Sequence, residues 1–134
     1  MIGEVDLQKL LQGMKPERNK GEYVYCLADS KEHAVALDPL CYFQENEGVT
    51  VILPKEKADA MRISYTLTFV WITLTVHSSL EAVGLTAAFS KALADANISC
   101  NVVAAFYHDH IFVPFKDADR AMKVLHRLTG ATHE

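Results

Sequence analysis

Two segments of this chain repeat one another. "VILPKEKADAM" (Val51 to Met61) and "IFVPFKDADRAM" (Ile111 to Met122) each run from apolar residues through a proline into a charged helix start. Pro54, Ala58 and Asp59 recur as Pro114, Ala118 and Asp119 at one common offset. The same strand–strand–helix order surrounds both copies, so the chain reads as two related halves. "CYFQ" and "VTVIL" are strands joined by "ENEG", a hairpin signal; "ISCNVVAAF" and "HIFVP" are strands on either side of "YHD". The second half is then β-α-β-β-α. The first is β-loop-β-β-α-β behind an added N-terminal helix. This is the split βαβ, ferredoxin-like pattern: an α+β fold with an antiparallel sheet and helices on one face. The halves meet near Leu67, giving units at 1–66 and 67–134.

The remaining elements follow from periodicity. "VDLQKLLQGM" sets Leu7, Leu10, Leu11 and Met14 on one helical face, with Asp6 as N-cap and Gly13 at the end. "KPERNKGE" reads as a polar loop, "EYVYCLA" as a strand, and "DSKEHAVALDPL" as a loop or a single helical turn. Pro54 opens the short helix "PKEKADAM". In "FVWITLTV", Val70, Ile72, Leu74 and Val76 alternate with Phe69, Trp71, Thr73 and Thr75. That strand is expected to end one unit and begin the next, with its aliphatic face toward helices. Leu85, Ala88, Phe89, Ala92 and Ala96 make a helical stripe with Leu93 beside it. The last helix buries Ala118, Ala121, Met122, Leu125 and Leu128 and stops at Gly130.

Composition excludes several classes. In 134 residues the formal net charge is −4 and half the residues are hydrophobic. No basic run offers a phosphate-tracking surface, so nucleic acid is not an expected partner. No apolar run approaches a membrane span and the N-terminus lacks a signal-peptide core. Cys26, Cys41 and Cys100 are odd in number and form no CxxC pair, as for reduced thiols in a cytoplasmic protein.

"GLTAAFSKALADANIS" resembles the ACT domain, a small regulatory module that binds amino acids. Gly84, Leu85, Phe89, Leu93, Asn97, Ile98 and Ser99 fit its turn, helix and second-strand entry. "SSLEAVGLTAA" together with "YHDHIFVP" is similar to a family of short bacterial tandem-ACT proteins, and distantly to the tandem-ACT arginine sensor of animal cells. The resemblance covers nearly the whole chain. It implies a regulatory module without catalysis or cofactor that binds a small amino acid. It also implies side-by-side pairing of subunits, hence a homodimer. The pattern departs in two places: the first half lacks the long first helix, and the second lacks a last strand after Gly130. The second sheet must borrow that strand from the first half or from a partner chain.

The polar cluster "YHDH" admits several readings. His108 and His110 point to one face of an extended strand and Asp109 to the other. Two histidines can serve a metal, but a zinc enzyme needs a third ligand, for which His77, Asp95 or a cysteine would have to serve. No nucleophile motif accompanies them. The cluster can also be a solvated hairpin tip with Asp109 bonding turn amides. The ligand reading places a carboxylate on backbone amides of the Val83–Gly84–Leu85–Thr86 turn, where Gly84 lacks a Cβ, and an ammonium on Asp109. Ser78 and His108 are further candidates. A protein-interaction scaffold that binds nothing small is the alternative function, and a metal-dependent enzyme using His108 and His110 a second.

Overall fold

The computed structural model describes residues 4–75 and 84–130, with side chains from Leu7 onward. The elements are α1 (Glu4–Gly13), β1 (Lys15–Arg18), β2 (Tyr23–Ala28), α2 (Lys31–Ala36), β3 (Cys41–Gln44), β4 (Val49–Pro54) and α3 (Lys55–Ala60), then β5 (Phe69–Thr75), α4 (Leu85–Asp95), β6 (Asn101–Ala104), β7 (Asp109–Pro114) and α5 (Ala118–Leu128). By packing, the chain forms two compact units: a central one, Lys20–Val70, and a composite one, Met1–Asn19 with Trp71–Glu134. The proposed division at 66/67 concerns the repeat in the sequence. The packing units differ from it in drawing the first nineteen residues to the second half.

In the central unit β4 lies between β3 and β2, antiparallel to both, and Tyr23 of β2 pairs with Phe69 of β5. Alternation sends Val24, Cys26 and Ala28 of β2 and Val49, Val51 and Leu53 of β4 into a core that Ala34, Leu37 and Ala58 complete. Helix α2 starts on Ser30, whose hydroxyl accepts from His33 N at 3.1 Å. Sequence reading allowed a loop or one turn here. Helix α3 closes with Arg62 left-handed at φ 58°. Arg62 N donates to Asp59 O and Ile63 N to Ala58 O, a Schellman closure.

In the composite unit the sheet order is β1-β5-β7-β6. The missing last strand is therefore β1: Lys15 to Arg18 pair antiparallel with Thr75 to Ile72. This corrects the reading of "KPER" as loop; of the two sources expected for the missing strand, the first half and a partner chain, it is the first half that supplies it. Arg18 Nη1 ties it to Asp119 Oδ1 of α5 at 2.8 Å. Ile72 and Leu74 are buried, as are Leu85, Phe89 and Leu93 of α4 and Ala118, Ala121, Val124 and Leu125 of α5. Met122 and Leu128 are only half-buried, whereas Val124, outside the predicted stripe, is buried. Helix α1 begins at Glu4, so Asp6 sits in its first turn and not at the cap. Val76 lies outside the described residues.

The repeat holds in three dimensions. Pro54 and Pro114 end β4 and β7 with nearly identical dihedrals, φ −56° and ψ 137° against φ −54° and ψ 137°. Ala58 and Ala118 are both buried beneath the helices that follow.

Candidate functional site

Helix α4 starts from Gly84, which adopts φ 96° and ψ −19° and offers no side-chain cap. Only glycine takes that left-handed geometry at no steric cost. A Cβ placed there would stand 3.6 Å from Leu7 Cδ2 of α1, in ordinary contact, so the backbone sets the need for glycine. Leu85 is 3% exposed and anchors the helix in the core; only its main chain remains for a ligand. Thr86 faces solvent. Ser78, Val83 and His77 fall outside the described residues. At its other end α4 closes on Asn97, left-handed at φ 61°, with Ile98 N bonded to Leu93 O and Asn97 N to Ala94 O. The "ANIS" motif thus has a physical reading: Asn97 takes the strained position and Ile98 is buried behind it.

The hairpin between β6 and β7 carries the other candidates. Ala104 pairs with Asp109, and Ala105 N donates to His108 O at 3.0 Å, closing the turn. Its tip is aromatic, not polar: Phe106 and Tyr107 are 77% and 75% exposed and meet edge to face at 5.0 Å. His108, Asp109 and His110 are all half-buried. Burial pushes the Asp109 carboxyl up from the ordinary carboxylate value, against a smaller downward pull from His110. No ion pair reaches Asp109 among the described residues. His108 Nδ1 is buried without a hydrogen-bond partner among the described residues. Neighbouring β5 and β7 run antiparallel in a split βαβ sheet, so the end of β5 at Thr75 and the start of β7 at Asp109 lie at the same sheet end.

His110 behaves differently. Trp71 Nε1 donates to its Nδ1 at 3.0 Å, and Thr73 Oγ1 lies 3.1 Å from the same nitrogen. The His108 and His110 rings stand 6.4 Å apart. Among the described residues no three histidine, cysteine, aspartate or glutamate side chains gather as a metal would require. The links from Trp71 and Thr73 to His110 were invisible in the sequence, since the partners lie on a different strand. Burial raises all three cysteine thiols above their usual value, and all three are free. None is poised as a nucleophile. No helix among the described residues is long and apolar enough to cross a membrane.

Comparison with known proteins agrees with this fold. One ACT-domain model matches residues 2–70 and another matches residues 67–127. A solved Vibrio cholerae protein of unknown function, described as a possible transport protein, is 45% identical, covers 92% of this chain and 95% of its own, and superposes with a TM-score of 0.84. An Agrobacterium tumefaciens protein shares the fold at 14% identity and a TM-score of 0.71, over 87% of this chain and 89% of its own. The ligand-free regulatory subunit of aspartate kinase from Thermus thermophilus does so at 10% identity and a TM-score of 0.58, over 87% and 95%. None of the curated protein sequences matches. The likeness to the animal arginine sensor has no counterpart among these findings. With two ACT-domain matches that together span residues 2–127, this chain belongs to the ACT-domain family.

Proposed function

We propose that the chain is a regulatory module that binds a small amino acid or related metabolite through its composite unit, with no catalysis and no cofactor of its own. ACT domains are typically regulatory ligand-binding modules, and the fold is that of aspartate kinase regulatory subunits. The observation that carries the reading is Asp109: a partly desolvated carboxylate at the start of β7, without an ion pair among the described residues. The ligand's ammonium would meet Asp109 and its carboxylate the amides of the Gly84 turn. Val83, Leu85 and Thr86 would contribute main chain, and Ser78 and His108 polar contacts. A cytoplasmic setting fits three free thiols.

A thermal-shift screen of amino acids and divalent metals tests this. A true ligand at a hundred to a thousand times its Kd should stabilise by about 2.7–4.1 kcal/mol. A flat amino-acid response with a shift for zinc alone would move the assignment to a metal site at His108 and His110. Asp109→Ala should weaken a ligand found this way by about 1.5–3 kcal/mol in calorimetry with the fold intact. Unchanged affinity removes Asp109 from the site.

The scaffold reading keeps one observation of its own. Edge strand β3 carries no charge and exposes Tyr42 at 39% and Phe43 at 70%. The proposed homodimer now rests on such edges, because β1 fills the gap that first motivated it. Light scattering at micromolar concentration decides: a mass near the 14.9 kDa of one chain rejects the dimer.

A further inference from the structure

One sheet face of the composite unit holds a polar network that ligand binding does not use. Trp71 Nε1 donates to His110 Nδ1 at 3.0 Å. An indole N–H can only donate, so Nδ1 must be the unprotonated nitrogen and the neutral ring carries its proton on Nε2. Thr73, 8% exposed, sets Oγ1 3.1 Å from that same nitrogen. Asn19 Nδ2 donates to Thr73 Oγ1 at 3.0 Å, which leaves the threonine proton to turn toward His110. Asn19 is itself fixed to Trp71 O, by its backbone N–H at 2.9 Å and its Nδ2 at 3.1 Å. The bonds therefore link the end of β1, the middle of β5 and the start of β7.

Two donors converge on one imidazole lone pair. A second proton on the ring has nowhere to go but Nδ1, where it would face both donors. We propose that His110 is a proton-sensitive latch between β7 and β5, closed while the ring is neutral and opened when Nδ1 takes a proton. The surroundings favour the closed state. Burial and then the charge of His108 hold the ring's pKa below the ordinary imidazole value, against a smaller opposing pull from Asp109. From β6 the register partner is the apolar Val103. From β1, Glu17 stands opposite Thr73 and Lys15 opposite Thr75, one acid and one base. The latch thus holds at neutral pH and opens only in acid. Asp109 and His108 adjoin His110, so opening loosens the chain that carries both. An effect on ligand affinity would rest on the binding reading above; the latch itself does not.

Trp71 is the single tryptophan, so its fluorescence reports the latch directly. The ligand-free full chain, titrated from neutral into acid, should show one fluorescence transition with its midpoint below about 6.5, the ordinary imidazole value. His110→Gln should abolish the transition. His108→Gln should keep it and raise its midpoint. Imidazole nitrogen NMR of the wild-type chain should show the Nε2-protonated tautomer above the midpoint, and the Asp109 amide should move with the same midpoint. A wild-type chain without a transition, a transition that survives His110→Gln, or an Nδ1-protonated tautomer overturns the latch. If His110→Gln fails to fold, the wild-type NMR titration decides alone. An Asp109 amide that stays still overturns the coupling to the hairpin.

Discussion

In the central unit the helix after the first strand is capped by Ser30; in the composite unit the corresponding position is Gly84, left-handed and without a side chain. The two hairpins differ in the same way. Glu45 N bonds Gly48 O at 2.9 Å, and Ala105 N bonds His108 O at 3.0 Å, at matching places in the repeat. The residue that follows is the buried Val49 in one and the partly desolvated Asp109 in the other. Other matched positions do the same job in both. Asp59 accepts from Tyr65, and Asp119 accepts from Arg18, each tying the second helix to the segment around the last strand. Lys57 caps the end of α2 through Leu37 O and Arg120 that of α4 through Ala96 O, the same job done from positions that do not match in the repeat. Shared positions thus hold the fold. The positions that differ are the helix start and the residue that opens the hairpin's second strand. That contrast is the reason the ligand is proposed for the composite unit.

The largest test of the contrast is removal of residues 1–18. The composite unit would lose the strand paired along β5 and the buried Met14. An unpaired central edge and an open core face should cost it most of the roughly 5–15 kcal/mol that a domain of this size has. Hydrogen exchange should show lost protection at Ile72 to Thr75, with Val24 to Ala28 and Val49 to Leu53 still protected. Equal loss in both sets would mean that the two units are not separate cooperative bodies.

Next come the helices. Phe89 is 0% exposed in the eleven-residue α4, whereas Val35 in the six-residue α2 is 55% exposed. Phe89→Ala should cost about 3–5 kcal/mol in chemical denaturation, and Val35→Ala no more than about 0.5 kcal/mol. A large effect at Val35 would show that its face is covered in solution, which would favour the scaffold reading.

Most of the fold was legible because apolar alternation and the proline repeat both report on burial, which sequence periodicity records. Strand β1 was not. "KPER" holds a proline and three charges, its side chains are largely exposed, and its pairing partner is Ile72 to Thr75, far along the chain. An edge strand needs little apolar pattern, so it leaves little trace. At the candidate site, Gly84 and Asp109 stand out through local chemistry, a glycine at a turn and an acid in an apolar run. The aromatic tip was less legible: Phe106 and Tyr107 continue the apolar run of β6, and only the turn closed by Ala105 and His108 exposes them. The engagement of His110 with Trp71 and Thr73 depends on sheet order, which no local pattern carries.

A smaller effect separates the two helix starts. Ser30→Ala removes the bond to His33 N and should cost about 1 kcal/mol. Gly84→Ala forces an alanine to φ 96° and should cost about 1–2 kcal/mol from backbone strain, since Leu7 leaves room for the methyl group. In ligand titrations Ser30→Ala should change nothing. A loss of binding there would place a site in the central unit and undo the contrast.

The smallest effect has the opposite sign. Folding raises the Asp109 pKa, so the native chain holds that proton more readily than the unfolded chain does. Ionised Asp109 therefore costs stability at every pH above its raised value, and the cost vanishes as pH falls below the ordinary carboxylate value. Asp109→Asn mimics the neutral form. At neutral pH it should stabilise the ligand-free protein, by no more than about 1 kcal/mol because the group is partly exposed to solvent. The gain should fade as the pH is lowered through the raised pKa. The same substitution should weaken any cationic or zwitterionic ligand, so that stability rises while binding falls. Thermal denaturation across pH checks the first half and calorimetry the second. A destabilised Asp109→Asn would show that the carboxylate already serves the hairpin.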